Sequence, residues 1–259
     1  MPIRFENKPG LVVYLTVGDP DIVTTHAIAL AAIDAGADVI ELGVPFSDPV
    51  ADGPVIQRAS ERAVAHGTRL ADVLSLAAEL RAQRPEAGLV LFSYLNPVLQ
   101  YGLERFCQMA QAAGMDGVLL TDMIVEEAGE YLELMARYGL APVFLAAPTS
   151  PDVRLKRIAE VSRGFVYAIS RVGITGVRSA VESDAAELVA RLRRYTDLPI
   201  AVGFGISQAE HVAEVGRFAD AAVVGSAIVA LIEQSEPSEA PGAIARFIEG
   251  LRPRAALAR

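Results

Sequence analysis

Short β-rich runs alternate with amphipathic helical stretches eight times along this chain, and no linker interrupts the alternation. Strands are predicted over residues 11–17, 39–44, 88–95, 117–121, 141–147, 165–170, 200–204 and 221–224. Each leads to a helix, over 21–35, 69–84, 103–113, 125–138, 152–162, 184–195, 208–218 and 227–234, with a last helix over 243–251. Eight such units in 259 residues match an α/β fold of the (β/α)₈ TIM-barrel type. A doubly wound open sheet has the same periodicity. The strand count, and the lack of a nucleotide-type glycine-rich loop after the first strand, favour the barrel. Gly36, Gly114 and Gly139 each follow a helix where a left-handed residue is wanted. Asp152, and Ser183 or Asp184, suit helix N-caps. One domain over 1–259 is expected, with a short N-terminal segment (1–10) and a C-terminal tail (252–259) that frays.

The chain is 52% hydrophobic, ample for a large core. No apolar run reaches the roughly 18 residues of a membrane span, and the short polar start does not read as a signal peptide. Net charge is −9 with no basic stripe, which argues against a nucleic-acid partner. One cysteine, Cys107, lies in a helical pattern and reads as core; with no internal disulfide available, the cytoplasm is the expected compartment.

Within the apolar run 39–44, Glu41 is the only charged residue. A carboxylate on a strand buried on both faces loses much of its hydration unless paired or protonated. The following turn-rich loop carries Asp48 and Asp52. Two roles suit this pattern: a structural carboxylate that caps loop N–H groups, or an acid/base pair. Glu41 shares parity with Val39 and Gly43, so all three can face a barrel interior. At the other strand ends stand Tyr94, Asn96, Asp122, Tyr167 and Arg171.

The seventh strand closes in Gly203-Phe204-Gly205, and the eighth runs through Gly225-Ser226 directly into a helix. Glycines let backbone N–H groups approach an anion, and a helix start adds about half a positive charge. These glycines either permit tight turns or cradle a phosphate, the usual use of these loops in barrel enzymes. The long loop after the sixth strand, with Gly173 and Gly176, has the make-up of a third wall or a lid. Lysine occurs only at Lys8 and Lys156, neither at a strand end, so a Schiff-base or pyridoxal-phosphate lysine is lacking. His26, His66 and His211 fall on helices or their approaches, away from the predicted site, so neither a metal constellation nor a Ser–His pair assembles there. Carboxylate acid/base chemistry on a phosphorylated substrate remains, with no metal and no cofactor on this chain.

The run Glu41-Leu42-Gly43-Val44-Pro45-Phe46-Ser47-Asp48-Pro49-Val50-Ala51-Asp52-Gly53-Pro54-Val55-Ile56-Gln57 closely resembles the signature of the tryptophan synthase alpha chain family. Further matches are Tyr14-Leu15-Thr16-Val17-Gly18-Asp19-Pro20, Ser170-Arg171-Val172-Gly173-Ile174-Thr175-Gly176, Gly203-Phe204-Gly205-Ile206-Ser207 and Gly225-Ser226-Ala227-Ile228-Val229. The resemblance implies a lyase of tryptophan biosynthesis that cleaves indole-3-glycerol phosphate to indole and glyceraldehyde 3-phosphate by a retro-aldol step. It implies Glu41 and Asp52 as catalytic carboxylates and Tyr167 as an active-site tyrosine. Gly176, Gly205, Gly225 and Ser226 match phosphate-binding positions. Tyr14, Phe92, Leu119, Ile169 and Phe204 are candidates for an indole pocket, with core packing as the competing role of each. Arg171 and Thr175 belong to the expected lid. The resemblance further implies a pyridoxal-phosphate beta chain as partner, an α₂β₂ complex, allosteric coupling and channelled indole.

The chain departs from the family pattern in its short segment before the first strand, which leaves closure of the barrel bottom open. It departs again at Asp122-Met123-Ile124, where a proline is common, and at Phe92-Ser93-Tyr94-Leu95-Asn96-Pro97. Two rival readings are a different phosphate-binding barrel lyase or isomerase, and a non-catalytic docking subunit; the intact Glu41 and Asp52 argue against the second.

Overall fold

The computed structural model describes residues 3–5, 8–169, 178–203 and 205–252, with the backbone alone for 178–183. It begins with β1 (Gly10–Thr16), α1 (Ile22–Asp34), β2 (Val39–Gly43), α2 (Pro54–Ala65), α3 (Leu70–Gln83) and β3 (Gly88–Ser93). Next come α4 (Leu95–Tyr101), α5 (Leu103–Ala112), β4 (Gly117–Leu120), α6 (Gly129–Arg137), β5 (Ala141–Val143) and β6 (Leu145–Ala146). The chain continues through α7 (Asp152–Val161), β7 (Val166–Ile169), α8 (Arg178–Leu192), β8 (Ile200–Gly203), α9 (Ala209–Val215) and β9 (Ala221–Val224). It ends in α10 (Ser226–Glu233) and α11 (Ala240–Leu251).

All strand pairs are parallel, in the order β5-β4-β3-β2-β1-β9-β8-β7-β6. The two ends of that order are one segment: β5 pairs with β4, and β6 pairs with β7, on either side of Phe144. The Tyr167 N–H donates to the Phe144 carbonyl at 3.1 Å. The predicted fifth strand is therefore bent in the middle, and the bend closes a single-domain (β/α)₈ barrel. Among the described residues no helix is long and apolar enough to cross a membrane.

Strand side chains alternate between two cores, as a period of two demands. Outward residues such as Leu11, Val13, Ile40, Leu42, Leu89 and Leu91 pack under the helices. Inward residues Val12, Val39, Val90, Leu119, Val143, Phe165, Ala201 and Ala221 fill the barrel. With both faces covered, the strands are continuous apolar runs. Ile3 and Phe5 join the inner layer from below, and Phe5 meets Phe165 edge-on at 6.0 Å between ring centroids. A Cβ on Gly164 would stand 2.8 Å from Ile3 Cδ1, so that glycine leaves room for the plug. The short N-terminal segment thus does seal the barrel bottom.

Several boundaries differ from the sequence reading. α2 and α4 lie where no helix is predicted, because each begins among prolines and turn residues. α6 begins at Gly129, after an irregular stretch, and not at 125. Asp152 is the first residue of α7, with Pro151 at the N-cap; its carboxylate is engaged by Arg191 at 2.7 Å. α8 begins at Arg178, so Ser183 and Asp184 lie inside the helix and not at its N-cap. Gly36, Gly114 and Gly139 follow α1, α5 and α6 with φ of 104°, 75° and 65°, as their positions predict. Residues 253–259 of the expected tail lie outside the described residues.

Candidate active site

Glu41 sits at the middle of β2, level with Tyr14 of β1 and Val90 of β3. Its residue is 0% exposed, and neither carboxylate oxygen has a hydrogen-bond partner among the described residues. A carboxylate that capped the following loop would accept that loop's N–H groups; Glu41 accepts none. Loss of hydration alone pushes its pKa from 4.5 up to about 8. At neutral pH the group is predominantly a carboxylic acid, with a proton to give.

Asp52 lies in the loop between β2 and α2, directly before the α2 N-cap Gly53. The Tyr94 hydroxyl donates to Asp52 Oδ2 at 3.0 Å and accepts from the Ala51 N–H at 2.9 Å. Gln57 Nε2 donates to the Asp52 carbonyl at 2.8 Å, which ties the residue to the first turns of α2. Burial raises the Asp52 pKa to about 6, against the Tyr94 hydrogen bond, which favours the charged form. Tyr94 was only noted at its strand end in the sequence; its grip on Asp52 spans 42 residues and leaves no local signal. Phe46 packs on the Tyr94 ring at 5.3 Å between centroids. Asp122 serves the neighbouring loop, accepting the Leu95 N–H at 2.7 Å, while Asn96 is exposed on α4.

The mouth of the barrel holds a cavity of about 700 Å³. Glu41, Tyr14, Phe92, Tyr167 and Val223 form its floor and sides. Ala51 and the start of α2, from Gly53 to Ile56, close one flank; Gly203, Gly205, Ile206, Gly225 and Ser226 close the other. Tyr14 and Phe92 meet edge-on at 5.0 Å. Burial above all, with the Asp52 carboxylate adding to it, holds the Tyr14 and Tyr167 hydroxyls well above the ordinary phenol range, so both stay protonated.

Four glycines at this site have different reasons to be glycine. A Cβ on Gly43 would stand 2.4 Å from the Tyr14 hydroxyl, and one on Gly203 would stand 2.6 Å from the Tyr167 hydroxyl. These two make room for the tyrosines. Gly205 has φ of 45°, a left-handed conformation. Gly225 has an ordinary φ of −117°, and a Cβ there would find only Tyr14 Cβ at 3.6 Å. Neither strain nor a clash requires glycine at 225, yet its missing side chain leaves the α10 N-terminus open to the cavity.

Of the residues singled out in the sequence, Glu41, Tyr14, Phe92, Tyr167, Gly205, Gly225 and Ser226 line one cavity, and Asp52 stands between two lining residues. Leu119 belongs to the inner core, and Ile169 is half-buried at the end of β7; neither is among the described lining residues. Phe204, Arg171, Thr175 and Gly176 lie outside the described residues, as does most of the predicted lid, whose last positions belong to α8. The sequence reading missed the α2 start, although glycine followed by proline is a helix-start signal. His26, His66 and His211 lie on α1, at the end of α2 and on α9. Among the described residues no group of three or more His, Cys, Asp or Glu gathers as a metal set.

The family model for the tryptophan synthase alpha chain matches residues 2–252. The tryptophan synthase alpha chain of Solibacter usitatus is 54% identical over 238 residues, 92% of this chain and 89% of that one. The alpha chain of Geobacter sulfurreducens is 46% identical over 250 residues, covering 96% and 94%. A tryptophan synthase structure from M. tuberculosis, in an open form, superposes with a TM-score of 0.85 at 35% identity, covering 95% of this chain and 94% of that one. A tryptophan synthase complex from Pyrococcus furiosus gives 0.85 at 38% identity, covering 94% and 98%. Signature and barrel agree with these matches, and the chain belongs to the tryptophan synthase alpha chain family.

Proposed function

We propose that this lyase cleaves indole-3-glycerol phosphate to indole and glyceraldehyde 3-phosphate, with Glu41 moving the protons. The observation that carries the reading is a wholly buried, unpartnered carboxyl on a barrel strand, facing a cavity shared with Asp52's loop and Tyr167. Breaking the bond between indole C3 and the glycerol side chain needs an electron sink on the ring. Protonated Glu41 supplies it by giving its proton to C3, which forms an indolenine with positive charge near the ring nitrogen. The resulting carboxylate then takes the proton from the hydroxyl on the carbon attached to the ring. As that carbon becomes an aldehyde, the pair from the breaking C–C bond restores the indole. One residue thus serves as acid and then as base, and its pKa of about 8 suits both tasks near neutral pH.

Asp52, ionised above about pH 6, accepts a hydrogen bond from the ring N–H and stabilises the indolenine charge. Tyr167 remains a neutral phenol and acts as a hydrogen-bond donor toward the glycerol side chain. Gly205, Gly225 and Ser226 bind the phosphate, helped by the dipole of α10. Tyr14 and Phe92 hold the indole ring between them.

The C-terminal end of the barrel also carries exposed apolar side chains on the loops and helices that follow successive strands. Val50 is 84% exposed after β2, Leu99 and Ile124 are exposed after β3 and β4, and Val153 is 83% exposed after β6. Such a rim suits burial against a second protein, and we assign it to a pyridoxal-phosphate beta chain in an α₂β₂ complex that takes indole directly. The cofactor belongs to that partner, since Lys8 and Lys156 stand far from this cavity's strand ends. Cys107, buried with its thiol pushed up to about 11, suits a reducing cytoplasm.

The deciding experiment incubates the purified chain with indole-3-glycerol phosphate and measures indole, with and without a beta chain. Indole formation, faster with the partner, is expected. Failure to form indole under both conditions overturns the proposal.

A further inference from the structure

α2 and α10 both open onto the cavity, and each is clamped at a point away from it. Arg58 of α2 grips Glu233, the last residue of α10, with Nε at 2.9 Å and Nη2 at 2.7 Å from its two oxygens. One turn on, Arg62 reaches the same carboxylate through Nη1 at 2.7 Å. The other side of the Arg62 guanidinium takes Asp19, in the loop after β1, through two bonds of 2.7 and 2.8 Å. Asp19 is only 3% exposed, so this arm of the clamp is anchored on a buried carboxylate. The two guanidinium groups hold the Glu233 carboxyl down at about 2, so the Arg58–Glu233–Arg62 contact stays charged through the whole range in which Glu41 and Asp52 titrate.

Beneath the clamp the helices touch through small residues. Ala59 of α2, wholly buried, packs with Tyr14 and with Val229 of α10. The N-cap of α2, Gly53, has no side chain to anchor it, and Val50 in the preceding loop is almost fully exposed. Asp52 is therefore located by Tyr94 on one side and by α2, acting as a rod, on the other. α10 carries the glycine cradle at its first residues and the clamped carboxylate at its last.

We propose that Arg58, Arg62 and Glu233 are positioning residues that fix the distance between Asp52 and the Gly225–Ser226 cradle. The proposal rests on the functional reading above. A substrate held by its phosphate at α10 and by its ring nitrogen at Asp52 reads that distance directly. Misplacement by about 1 Å can cost roughly 10²-fold in rate. The clamp touches no substrate, so it acts only through the two helices.

The test is a double-mutant cycle with Glu233→Gln and Arg58→Met, both at partly exposed positions. Measured for each are kcat and KM for indole formation, Kd for glycerol 3-phosphate, and Tm. Glu233→Gln is expected to lower kcat roughly tenfold, by analogy with such misplacement. Glycerol 3-phosphate, which is held by Gly205 and the Gly225–Ser226 cradle and lacks the ring that Asp52 holds, should bind within about twofold of wild type, the range of a lost uniform contact. Arg58→Met should act in the same direction but less, and the double variant should match Glu233→Gln, because one linkage is being cut twice. Unchanged kcat in both variants, additive losses, or a kcat loss that simply follows lost folded protein overturns the positioning role. A wild-type chain that forms no indole overturns the functional reading, and the clamp's role with it; active wild type beside unaffected variants overturns the clamp alone.

Discussion

Asp38, Asp116 and Asp220 each stand one residue before a strand at the lower end of the barrel, and Glu41 and Asp52 serve its upper end. Each lower carboxylate accepts an N–H from the start of the neighbouring strand: Leu11 at 2.7 Å, Leu89 at 2.9 Å and Ile200 at 2.8 Å. Each also meets an arginine: Arg252 at 3.1 Å, Arg81 at 2.6 Å, and Arg193 in direct contact. At the top, among the described residues, Asp52 has one tyrosine hydroxyl and no cation, and Glu41 has no partner. The same chemical group is thus satisfied at one end and left in want at the other. Paired carboxylates are inert and hold strands in register. Unpaired ones have raised pKa values, and a proton near neutrality is what acid/base chemistry uses. The comparison separates a stability face from a reaction face without reference to any ligand.

The largest test of that division is Glu41→Gln. It should lower kcat for indole formation by roughly 10² to 10⁴, with the fold kept. Near-normal turnover in a folded variant would end the assignment. The same variant carries a stability signature of opposite sign. The folded-state pKa of Glu41, about 8, lies above its ordinary 4.5, so its favourable contribution is complete below pH 4.5 and is lost as pH rises through 8. Glu41→Gln should therefore gain stability over wild type between pH 5 and pH 9, by on the order of a few kcal/mol. A gain that does not grow with pH would mean that Glu41 is ionised and solvated in the folded chain.

At the lower end the expectation is reversed. Arg81→Met takes the cation from the buried Asp116 and should cost roughly 3 kcal/mol in denaturant unfolding, while kcat of the folded fraction stays near wild type. An activity loss without a stability loss there would erase the distinction between the two faces.

Gly225→Asp places a side chain and a like charge at the cradle, where the backbone itself tolerates a Cβ. KM should rise by about tenfold or more, since one repelled charge is worth at least ~1.4 kcal/mol at a desolvated site. If inorganic phosphate protects this variant and wild type equally against heat, the anion binds elsewhere.

The smallest effect concerns Tyr94. With Asp52 needed charged and Glu41 needed protonated, kcat/KM should rise with pH through about 6 and fall through about 8. Tyr94→Phe removes the hydrogen bond that favours the Asp52 anion. The acid limb should move to higher pH, and the alkaline limb should stay in place. A shift of both limbs, or of neither, would separate Tyr94 from Asp52.

The sequence alone carried the periodicity of eight strand–helix units, the left-handed glycines after α1, α5 and α6, and the lone acid on β2. These are local: a repeat of two or 3.6 residues and a single polar group in an apolar run are visible within a short window. Glycines at the ends of β8 and β9 were legible for the same reason, as was the loop that carries Asp52. What tertiary structure alone decided is long-range. Closure of the barrel sets β1 beside β9, which lies more than 200 residues later, and only then do α2 and α10 become neighbours. The Arg58–Glu233 clamp spans 175 residues, and Tyr94 reaches Asp52 across 42. Whether a carboxylate finds a cation or none is set by which chain segments the closed sheet places within 3 Å of it. Asp116 borders an apolar strand and Glu41 lies within one, and neither window shows which of them meets a cation. Their opposite surroundings arise from the arginine that α3 delivers to the one and from the lack, among the described residues, of any partner for the other.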